Sequence, residues 1–596
     1  MGMKEKKAPR ASAASVEMNK NSLIHHPLFL CLSFLIGFCM VVTVVLVPLP
    51  EHEDAGYLSG VLGKVRAPAG GGDGNNNIPS GGGAAPGISG NIGHEERVAV
   101  DSNNSNNEAA EVGRKLPQKN EEESAHVVAG LLHPSGGIPY LPPFAPIPNA
   151  EQLKQDTLNG KPTIAGIASV INDFLTALHE SNKHNADIKA DLPEMIQSYF
   201  ELAKEYIAPF EAVYNGKPIF PVRQDGSIFI SLAAFREHLL AQTLRSSFQQ
   251  AEHPDRIYVG VVVQNCFGLN GYQCRTGMQV YGKDEKGHDK AKISDAPPDA
   301  NGIEEFCTDP EFQKYCENDQ VRVIYQHETD ALGPAVARYY ASKLWAGETY
   351  FMQMDAHLEF APHWDTFYID EVKAAKAYPK AVLSTYPPGF QEFGEYKGGT
   401  KGHRLCYCEF STNTVERHII RINTNGVYKG GEPRPTQISY IAAGFFFARA
   451  EFLTDVPFDP YLPWCFMGEE IALSMRAWTA GWDIYAPRTN MIAHQYRPGR
   501  MGLPKFWEAV GRDSHRPQLN TRLQAHVLRR VKYMVGYADD TREKIEDEGD
   551  GLALTEFEKY GLGTVRTGQA YLNLTNIDPI AMKCGHNTWC AKGTLE

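Results

Sequence analysis

The chain has 596 residues, of which 42% are hydrophobic and 22% are charged. These values are typical of globular proteins, so a wholly disordered chain is excluded and a large core can form. Lys and Arg number 58 against 71 Asp and Glu, which leaves a formal net charge of −13. That balance argues against a nucleic-acid binder, because such proteins neutralise phosphates with basic residues. A compact anionic ligand would need a metal ion or a few placed arginines.

The first strong feature is an uncharged apolar run over 28–47, LFLCLSFLIGFCMVVTVVLV. As a helix it is long enough for the hydrocarbon core of a bilayer, which predicts a transmembrane helix after a cytoplasmic tail at 1–27. A cleaved signal peptide is the alternative, but the run is long for a signal core and lacks a small-residue cleavage site before Glu51. Flanking charge places everything after residue 50 in the lumen, as the positive-inside rule requires. The basic residues before the run are Lys4, Lys6, Lys7, Arg10 and Lys20, and the acidic residues after it are Glu51, Glu53 and Asp54.

The segment 48–160 is dominated by Gly, Asn, Ser, Pro and Glu, as in GGGDGNNN at 70–77. Such a composition buries too little apolar surface to offset chain entropy, which predicts a flexible stem. Over 161–215 apolar residues recur at helical spacing, which predicts two helices joined through Asn182 to Pro193. These helices are expected to pack against the domain that follows. Self-association through them into a homodimer is the alternative.

From residue 227 onwards short β-rich runs alternate with helical patterns. The runs are IFISLAAF (228–235), IYVGVVVQ (257–264), VRVIYQ (321–326) and TYFMQMDAHLEF (349–360). This alternation predicts an α/β domain with a parallel sheet. Such sheets bind ligands outside the carboxyl ends of their strands, near a reversal of strand order. The sequence has no G-x-G-x-x-G after the first run and no phosphate-binding P-loop, so a dinucleotide fold and a P-loop NTPase have little support.

Cysteine usage is consistent with a luminal location. Two of the eleven cysteines fall in the apolar run, and the others lie where disulfides can persist. Their number is odd, so at least one thiol is free or pairs between chains. Spacing favours bridges within three close pairs, which are Cys266 with Cys274, Cys307 with Cys316, and Cys584 with Cys590. A zinc site is the alternative, but no repeated C-x-x-C pair supports it.

The sharpest local motif is Asp355-Ala356-His357 at the end of an apolar run. A carboxylate and an imidazole two residues apart at a strand end can chelate a divalent cation. Chance D-x-H triplets are common, so the motif alone is weak. Farther along, 464–500 contains a paired carboxylate, an amphipathic helix, a strand and then His494-Gln495-Tyr496-Arg497.

Taken together, these motifs resemble the family of GlcNAc-transferases that includes the Skp1 hydroxyproline α-GlcNAc-transferase, and more distantly the polypeptide GalNAc-transferases. The resemblance covers about 225–580 and leaves 581–596 as a C-terminal tail. It is carried by IFISLAAFRE (228–237), the segment 331–360, AAGFFFARAEFL (442–453), the pattern M-G-E-E-x-x-L-S-x-R-x-W from Met467 to Trp478, and His494-x-Tyr496-Arg497. Both families have the GT-A fold, so the resemblance implies an α/β domain of that kind.

The resemblance also implies a site. Asp355, His357 and His494 would be the metal ligands, with Mn²⁺ as the expected ion and Mg²⁺ as the alternative, holding the donor diphosphate. The catalytic candidates are Glu469 and Glu470, which would hold sugar hydroxyls or orient the acceptor; adjacent glutamates that merely open a helix are the alternative. Substrate-binding candidates are Ser231, Arg236, Gly333, Arg338, Trp464 and Arg497. A surface ion pair for Arg236, a helix-stabilising charge for Arg338 and core packing for Trp464 stay open.

The implied activity is transfer of a hexosamine, GlcNAc first, from a UDP-sugar to a hydroxyl on a protein or glycan, with retention of configuration. The apolar run at 28–47, and not the resemblance, predicts a single-pass type II protein of the Golgi or endoplasmic reticulum membrane, which departs from cytoplasmic relatives that act on hydroxyproline. A transferase that moves another UDP-hexose to a glycan or phosphoglycan is the first alternative, and a non-catalytic sugar-binding protein on a stem is the second. A metal hydrolase has less support, because the H-E-x-x-H pattern is absent.

Overall fold

The computed structural model describes residues 141–187, 192–269, 272–277, 279–395, 400–413, 416–428, 432–496 and 519–595. The predicted cytoplasmic tail, the apolar run at 28–47 and the stem up to residue 140 lie outside the described residues. None of the helices in the described part combines the length and the apolar character needed to cross a membrane.

The end of the predicted stem is helical, not flexible. Helix α1 (Ala150–Leu158) packs so closely on α2 (Ile164–Asp187) that a Cβ at Gly166 would lie 2.5 Å from the carbonyl oxygen of Leu153. Lys154 also contacts Asp173 of α2 at 2.6 Å. Composition indicated a flexible stem here, and the tertiary contacts with α2 override it.

The predicted helical segment contains α2, then α3 (Leu192–Leu202), a π-helical turn (Ala203–Ile207) and α4 (Ala208–Val213). Helix α2 runs past the predicted break at Asn182 to Asp187. The apolar stripe of the segment is buried, as Phe174 at 0% exposure shows, and the Tyr199 hydroxyl donates to the carbonyl of Pro460 at 2.6 Å. The contacts favour the packing interpretation of these helices.

The four predicted β-rich runs all form strands, although the fourth is broken in two. In chain order the strands are β1 (Ile228–Phe235), β2 (Ile257–Asn265), β3 (Gln279–Lys283), β4 (Asp289–Lys292), β5 (Val321–His327), β6 (Tyr350–Asp355), β7 (Leu358–Phe360), β8 (Ala381–Ser384), β9 (Thr400–Lys401), β10 (His403–Phe410), β11 (Ile420–Val427), β12 (Thr436–Gln437), β13 (Phe445–Arg449), β14 (Asp483–Ala486), β15 (Thr489–Asn490), β16 (Ile492–His494), β17 (Ile577–Asp578) and β18 (Lys583–Cys584).

Helices alternate with these strands and continue to the carboxyl end of the described chain. They are α5 (Leu240–Gln249), α6 (Gly302–Cys307), α7 (Gln313–Glu317), α8 (Pro334–Ser342), α9 (Trp364–Ala374), α10 (Phe390–Glu395), α11 (Phe452–Asp455), α12 (Glu469–Thr479), α13 (Leu519–Val535), α14 (Arg542–Asp547), α15 (Phe557–Tyr560), α16 (Gly568–Thr575) and α17 (Thr588–Lys592).

The described part is a mixed α/β structure with a large central sheet, in the order β12-β14-β8-β13-β6-β1-β2-β5. Strand β1 pairs in parallel with both β2 and β6, and β5 extends the parallel part. The predicted parallel sheet is confirmed only in part: the sheet is mixed, because β13 runs antiparallel between β6 and β8 and β12 runs antiparallel to β14. Strand order reverses at β1, so the carboxyl ends of β1 and β6 lie side by side.

Both faces of the sheet are covered, which explains the nearly continuous apolar runs. Successive side chains of a strand point to opposite faces. On β1, Ile228, Ile230 and Leu232 belong to a buried cluster with α5 and α9. Phe229 belongs to the other cluster, with α2, α8 and α12.

Two of the three predicted disulfides are confirmed, Cys266–Cys274 and Cys307–Cys316. The predicted bridge between Cys584 and Cys590 is wrong. Cys590 pairs with Cys406, and Cys584 with Cys408, so the predicted C-terminal tail is fastened to β10. Cys406 and Cys408 are two residues apart and share a strand face, so both can meet partners from the tail. Among the described cysteines, Cys465 forms no disulfide and is buried.

Candidate metal centre

The three metal-ligand candidates come together because the chain leaves the central sheet after Asp355 and then pairs with the strand that carries His494. Strand β6 ends at Asp355, and the chain turns through Ala356 and His357 before β7 begins. Strand β7 pairs antiparallel with β16, which sets His494 opposite Leu358. The Gln495 amide then donates to the His357 carbonyl at 3.0 Å, holding the two histidine segments together.

Asp355, His357 and His494 each present a ligand atom, and the three atoms lie within 4.8 Å of one another. His494 Nε2 is 3.1 Å from Asp355 Oδ2 and 3.0 Å from His357 Nε2. Two imidazole nitrogens and one carboxylate oxygen form a mixed nitrogen and oxygen donor set, which suits a divalent transition metal. The residues present therefore fit the ion that the motifs predicted.

The electrostatics favour the protonation states that a metal requires, namely a carboxylate and neutral imidazole. Burial alone raises the pKa of Asp355, but the His494 hydrogen bond and the Arg338 charge outweigh it and hold that pKa well below its usual range. Burial lowers the pKa of His494, and the Asp355 contact offsets this only in part. His494 Nδ1 is buried and has no hydrogen-bond partner among the described residues.

Arg338 links the metal-ligand candidates to the paired glutamates. Helix α8 starts after Gly333, whose φ of +88° is a left-handed conformation that favours glycine, and it carries Arg338 toward β6. Arg338 Nη2 lies 3.0 Å from Asp355 Oδ1, and its Nη1 contacts Glu469 Oε2. Burial raises the pKa of Glu469, against the effect of Arg338. Gly333 itself acts through its backbone, as the residue that precedes the first turn of α8.

Glu470 lies beside these ion pairs but has its own hydrogen-bond partners. The Tyr386 hydroxyl is 2.8 and 2.7 Å from its two carboxylate oxygens, and the Ala443 amide donates to Oε1 at 3.0 Å. Burial raises the pKa of Glu470 to about 7, and the Ala443 and Tyr386 hydrogen bonds lower it only in part. Sequence reasoning missed Tyr386. The signal that could have found it is its place two residues after β8, a strand that pairs in parallel with β14, because ligands bind outside the carboxyl ends of such strands.

Three substrate-binding candidates are buried. Arg236 is 2% exposed and engages Asp299 at 2.6 and 2.7 Å and Glu328 at 3.1 Å, so its guanidinium forms buried ion pairs, and its contact with a diphosphate stays a prediction. Ser231 is wholly buried in the middle of β1. Trp464 is buried in the core near Tyr199, with ring centroids 6.2 Å apart, which is the packing alternative. Arg497 lies outside the described residues.

Comparison with known proteins identifies the family. The family model described as Glycosyltransferase (GlcNAc) matches residues 227–581, more than half of the chain and the whole candidate centre. The chain belongs to this glycosyltransferase family. This confirms the family resemblance and the assignment of the chain as a glycosyltransferase.

Other comparisons are more distant. No curated protein sequence matches the chain. Among solved structures, the crystal structure of GalNAc-T7 with UDP, GalNAc and Mn²⁺ is similar at 12% identity, with a TM-score of 0.32. The alignment covers 61% of this chain and 56% of that chain, so the similarity spans a little over half the length of the solved protein.

Proposed function

We propose that this glycosyltransferase is a metal-dependent enzyme of the GT-A fold that moves GlcNAc from UDP-GlcNAc to a hydroxyl of a protein or glycan, with retention of configuration. The observation that carries the proposal is the convergence of Asp355, His357 and His494 at the carboxyl edge of the sheet, inside the matched family region. A mixed sheet with a strand-order reversal at β1 supports the position of the site.

The proposed roles follow from the contacts. Asp355, His357 and His494 would hold Mn²⁺, or Mg²⁺ as the alternative, and the bound ion would stabilise negative charge on a departing diphosphate. Arg338 keeps Asp355 ionised and correctly turned through its 3.0 Å contact. Glu470, with a pKa of about 7, can accept or donate a hydrogen bond to a sugar hydroxyl near neutral pH. Glu469 holds Arg338 from the opposite side. We assign no covalent nucleophile, and retention is proposed to proceed on the donor's front face.

The test is a donor screen with the purified full chain. UDP release is measured for a panel of UDP-sugars with Mn²⁺, with Mg²⁺ and after treatment with EDTA, and the anomer of the transferred sugar is read by NMR. We expect UDP-GlcNAc to be the best donor, EDTA to abolish release, and Mn²⁺ to restore it better than Mg²⁺. A better rate with a UDP-hexose would favour the alternative donor. Sugar binding without UDP release would refute the enzyme proposal and favour a sugar-binding protein.

We also propose that the domain lies in the lumen of the Golgi or endoplasmic reticulum. The confirmed bridges Cys266–Cys274 and Cys307–Cys316 support an oxidising compartment, and the apolar run at 28–47 supports a type II anchor. In sealed microsomes the described part should resist added protease until detergent is present. Digestion without detergent would contradict the topology.

A further inference from the structure

Glu237 is a buried carboxylate that none of the predicted roles uses. It lies two residues after the end of β1 and is 4% exposed. Its Oε2 lies 2.8 Å from His357 Nδ1, and its Oε1 accepts the Leu239 amide at 3.0 Å. Oε1 also lies 3.5 Å from His238 Nδ1. One carboxylate oxygen is therefore held within its own turn, and the other contacts the candidate metal centre.

The contact with Glu237 determines which nitrogen of His357 carries the proton. A carboxylate only accepts hydrogen bonds, so Nδ1 of a neutral His357 keeps its hydrogen and Nε2 keeps a lone pair. That lone pair faces His494 Nε2 at 3.0 Å, on the side where Asp355 also lies. Histidines that bind metals are commonly oriented in this way by a carboxylate on the other ring nitrogen.

The turn that carries Glu237 is held rigidly by its neighbour. Arg236 has a φ of +46°, which is unusual for a residue other than glycine. Its guanidinium is fixed by Asp299, by Glu328 and by the Arg275 carbonyl at 2.6 Å. These contacts make Arg236 an anchor for the turn beside it.

We infer that Glu237 is the positioning residue of His357, fixing its tautomer and ring orientation so that Nε2 is available to a divalent cation, with Arg236 anchoring the turn. The inference rests on the proposed metal site and adds to it a residue outside the D-x-H motif. The strand-order reversal explains the geometry, since the loop after β1 and the loop after β6 leave the sheet side by side.

The test uses the full chain and Mn²⁺ alone, with free Mn²⁺ measured by its EPR signal. In Glu237→Gln the amide oxygen stays on the Leu239 N–H, so the amide NH₂ faces His357 Nδ1 and favours the wrong tautomer. We expect Mn²⁺ affinity to fall by ~10–100-fold, with the melting temperature of the metal-free protein unchanged. Glu359→Gln is the matched control, because Glu359 lies two residues from His357 and contacts Gln242 instead. Equal Mn²⁺ affinity in wild type and Glu237→Gln would overturn the inference.

A second measurement does not depend on a variant's folding. In the metal-free wild type at pH 8, ring ¹⁵N shifts of His357 should report protonated Nδ1, with the signal assigned by its loss in His357→Asn. A protonated Nε2 would overturn the inference. The two proposals also fail differently. Wild type that binds Mn²⁺ but releases no UDP from any UDP-sugar would refute the proposed function and leave Glu237 in its role.

Discussion

At the scale of single residues, the candidate centre concentrates charge that the surrounding protein only partly balances. Arg338 is shared between Asp355 and Glu469, whereas Glu470 is hydrogen-bonded by the neutral groups of Tyr386 and Ala443. Buried carboxylates of this kind cost stability and are retained where a ligand or a reaction uses them. The next two predictions follow from this imbalance.

Asp355→Asn should remove Mn²⁺-stimulated UDP release, lowering it by at least ~100-fold, because a ligand that stabilises leaving-group charge is lost. UDP release and Mn²⁺ affinity are measured together. Asp370→Asn, an exposed position on α9, is the control and should behave as wild type. Unchanged turnover in Asp355→Asn with a normal melting curve would remove the metal assignment.

Glu470→Gln should stabilise the protein at high pH and have little effect at low pH. Burial raises the Glu470 pKa from 4.5 to about 7, so the folded state binds a proton that the unfolded state releases in that interval. The stability gained from that proton is complete below pH 4.5 and is lost as pH rises through about 7. Because Glu470 is partly accessible, we expect a gain on the order of 1–2 kcal/mol in the variant at pH 8.5.

The measurement for Glu470→Gln is thermal unfolding of variant and wild type at pH 5 and pH 8.5, alongside UDP release. Activity should fall by at least ~10-fold even where stability rises, since a destabilised group at an active site is commonly a functional one. An equal loss of stability at both pH values would contradict the assigned pKa shift.

Local pattern could predict the metal-ligand candidates but not the partners of long side chains. Asp355 ends a recognisable strand and His357 follows it two residues later, whereas His494 is 137 residues from His357 and was indicated only by the family resemblance. The destination of the Arg236 guanidinium depends on Asp299 and Glu328, which are distant in sequence. The sequence around Arg236 does not show whether its guanidinium binds a phosphate or pairs with those two carboxylates. The same reasoning applies to Glu237, whose partner His357 lies 120 residues away, in the turn between β6 and β7.

At the scale of elements, the helices before the first strand are part of the packed domain. Glu211 on α4 is buried between Lys343 at 2.5 Å and Lys559 at 2.7 Å, and the Tyr339 hydroxyl donates to it at 2.6 Å. Burial raises the pKa of Glu211, but the two lysines bring it down to about 2. Three distant parts of the chain therefore meet at one carboxylate.

Glu211→Ala should lower the free energy of unfolding by ~3–5 kcal/mol, because it leaves two lysines facing each other without their counter-ion. Urea denaturation at pH 7 measures the loss. Glu201→Ala is the control, since Glu201 is exposed on α3 and accepts a hydrogen bond from Gln197 one turn earlier. In wild type this contribution should also weaken as the pH falls from 4.5 toward 2. A Glu211→Ala protein as stable as the control would contradict the anchoring role.

Element types were predictable where the apolar period was clear, as in α2, β1, β2 and β5. Element ends were not, because they depend on tertiary contacts. Helix α1 forms in a segment whose composition indicated a stem, and the fourth run breaks at Ala356 because its second half pairs with β16 instead of the main sheet.

At the scale of the whole molecule, the last residues are tied back to the middle of the chain. The bridges Cys406–Cys590 and Cys408–Cys584 close loops of 184 and 176 residues. Sequence spacing favoured a local pair at the tail, and only the fold brings β10 beside α17 and β18. A long closed loop restricts the unfolded chain more than a short one does.

Replacing both Cys406 and Cys590 by Ala should lower the free energy of unfolding by ~2–5 kcal/mol. Replacing both Cys266 and Cys274, whose loop is 8 residues long, should cost less. Urea denaturation gives both values, and mass spectrometry of non-reduced peptides checks the pairing. A peptide linking Cys584 to Cys590 would contradict the connectivity described here.

Among the described cysteines Cys465 alone keeps its thiol, and this affects how the protein must be handled. In the native state it is 0% exposed, and burial raises its pKa far above the usual range, so it cannot attack a neighbouring bridge. Unfolding exposes a thiol of ordinary acidity in a chain whose described part contains four cystines. Samples heated at alkaline pH should therefore exchange their disulfides and fail to refold. Low pH, or alkylation of the unfolded protein, should preserve the native disulfide pairing.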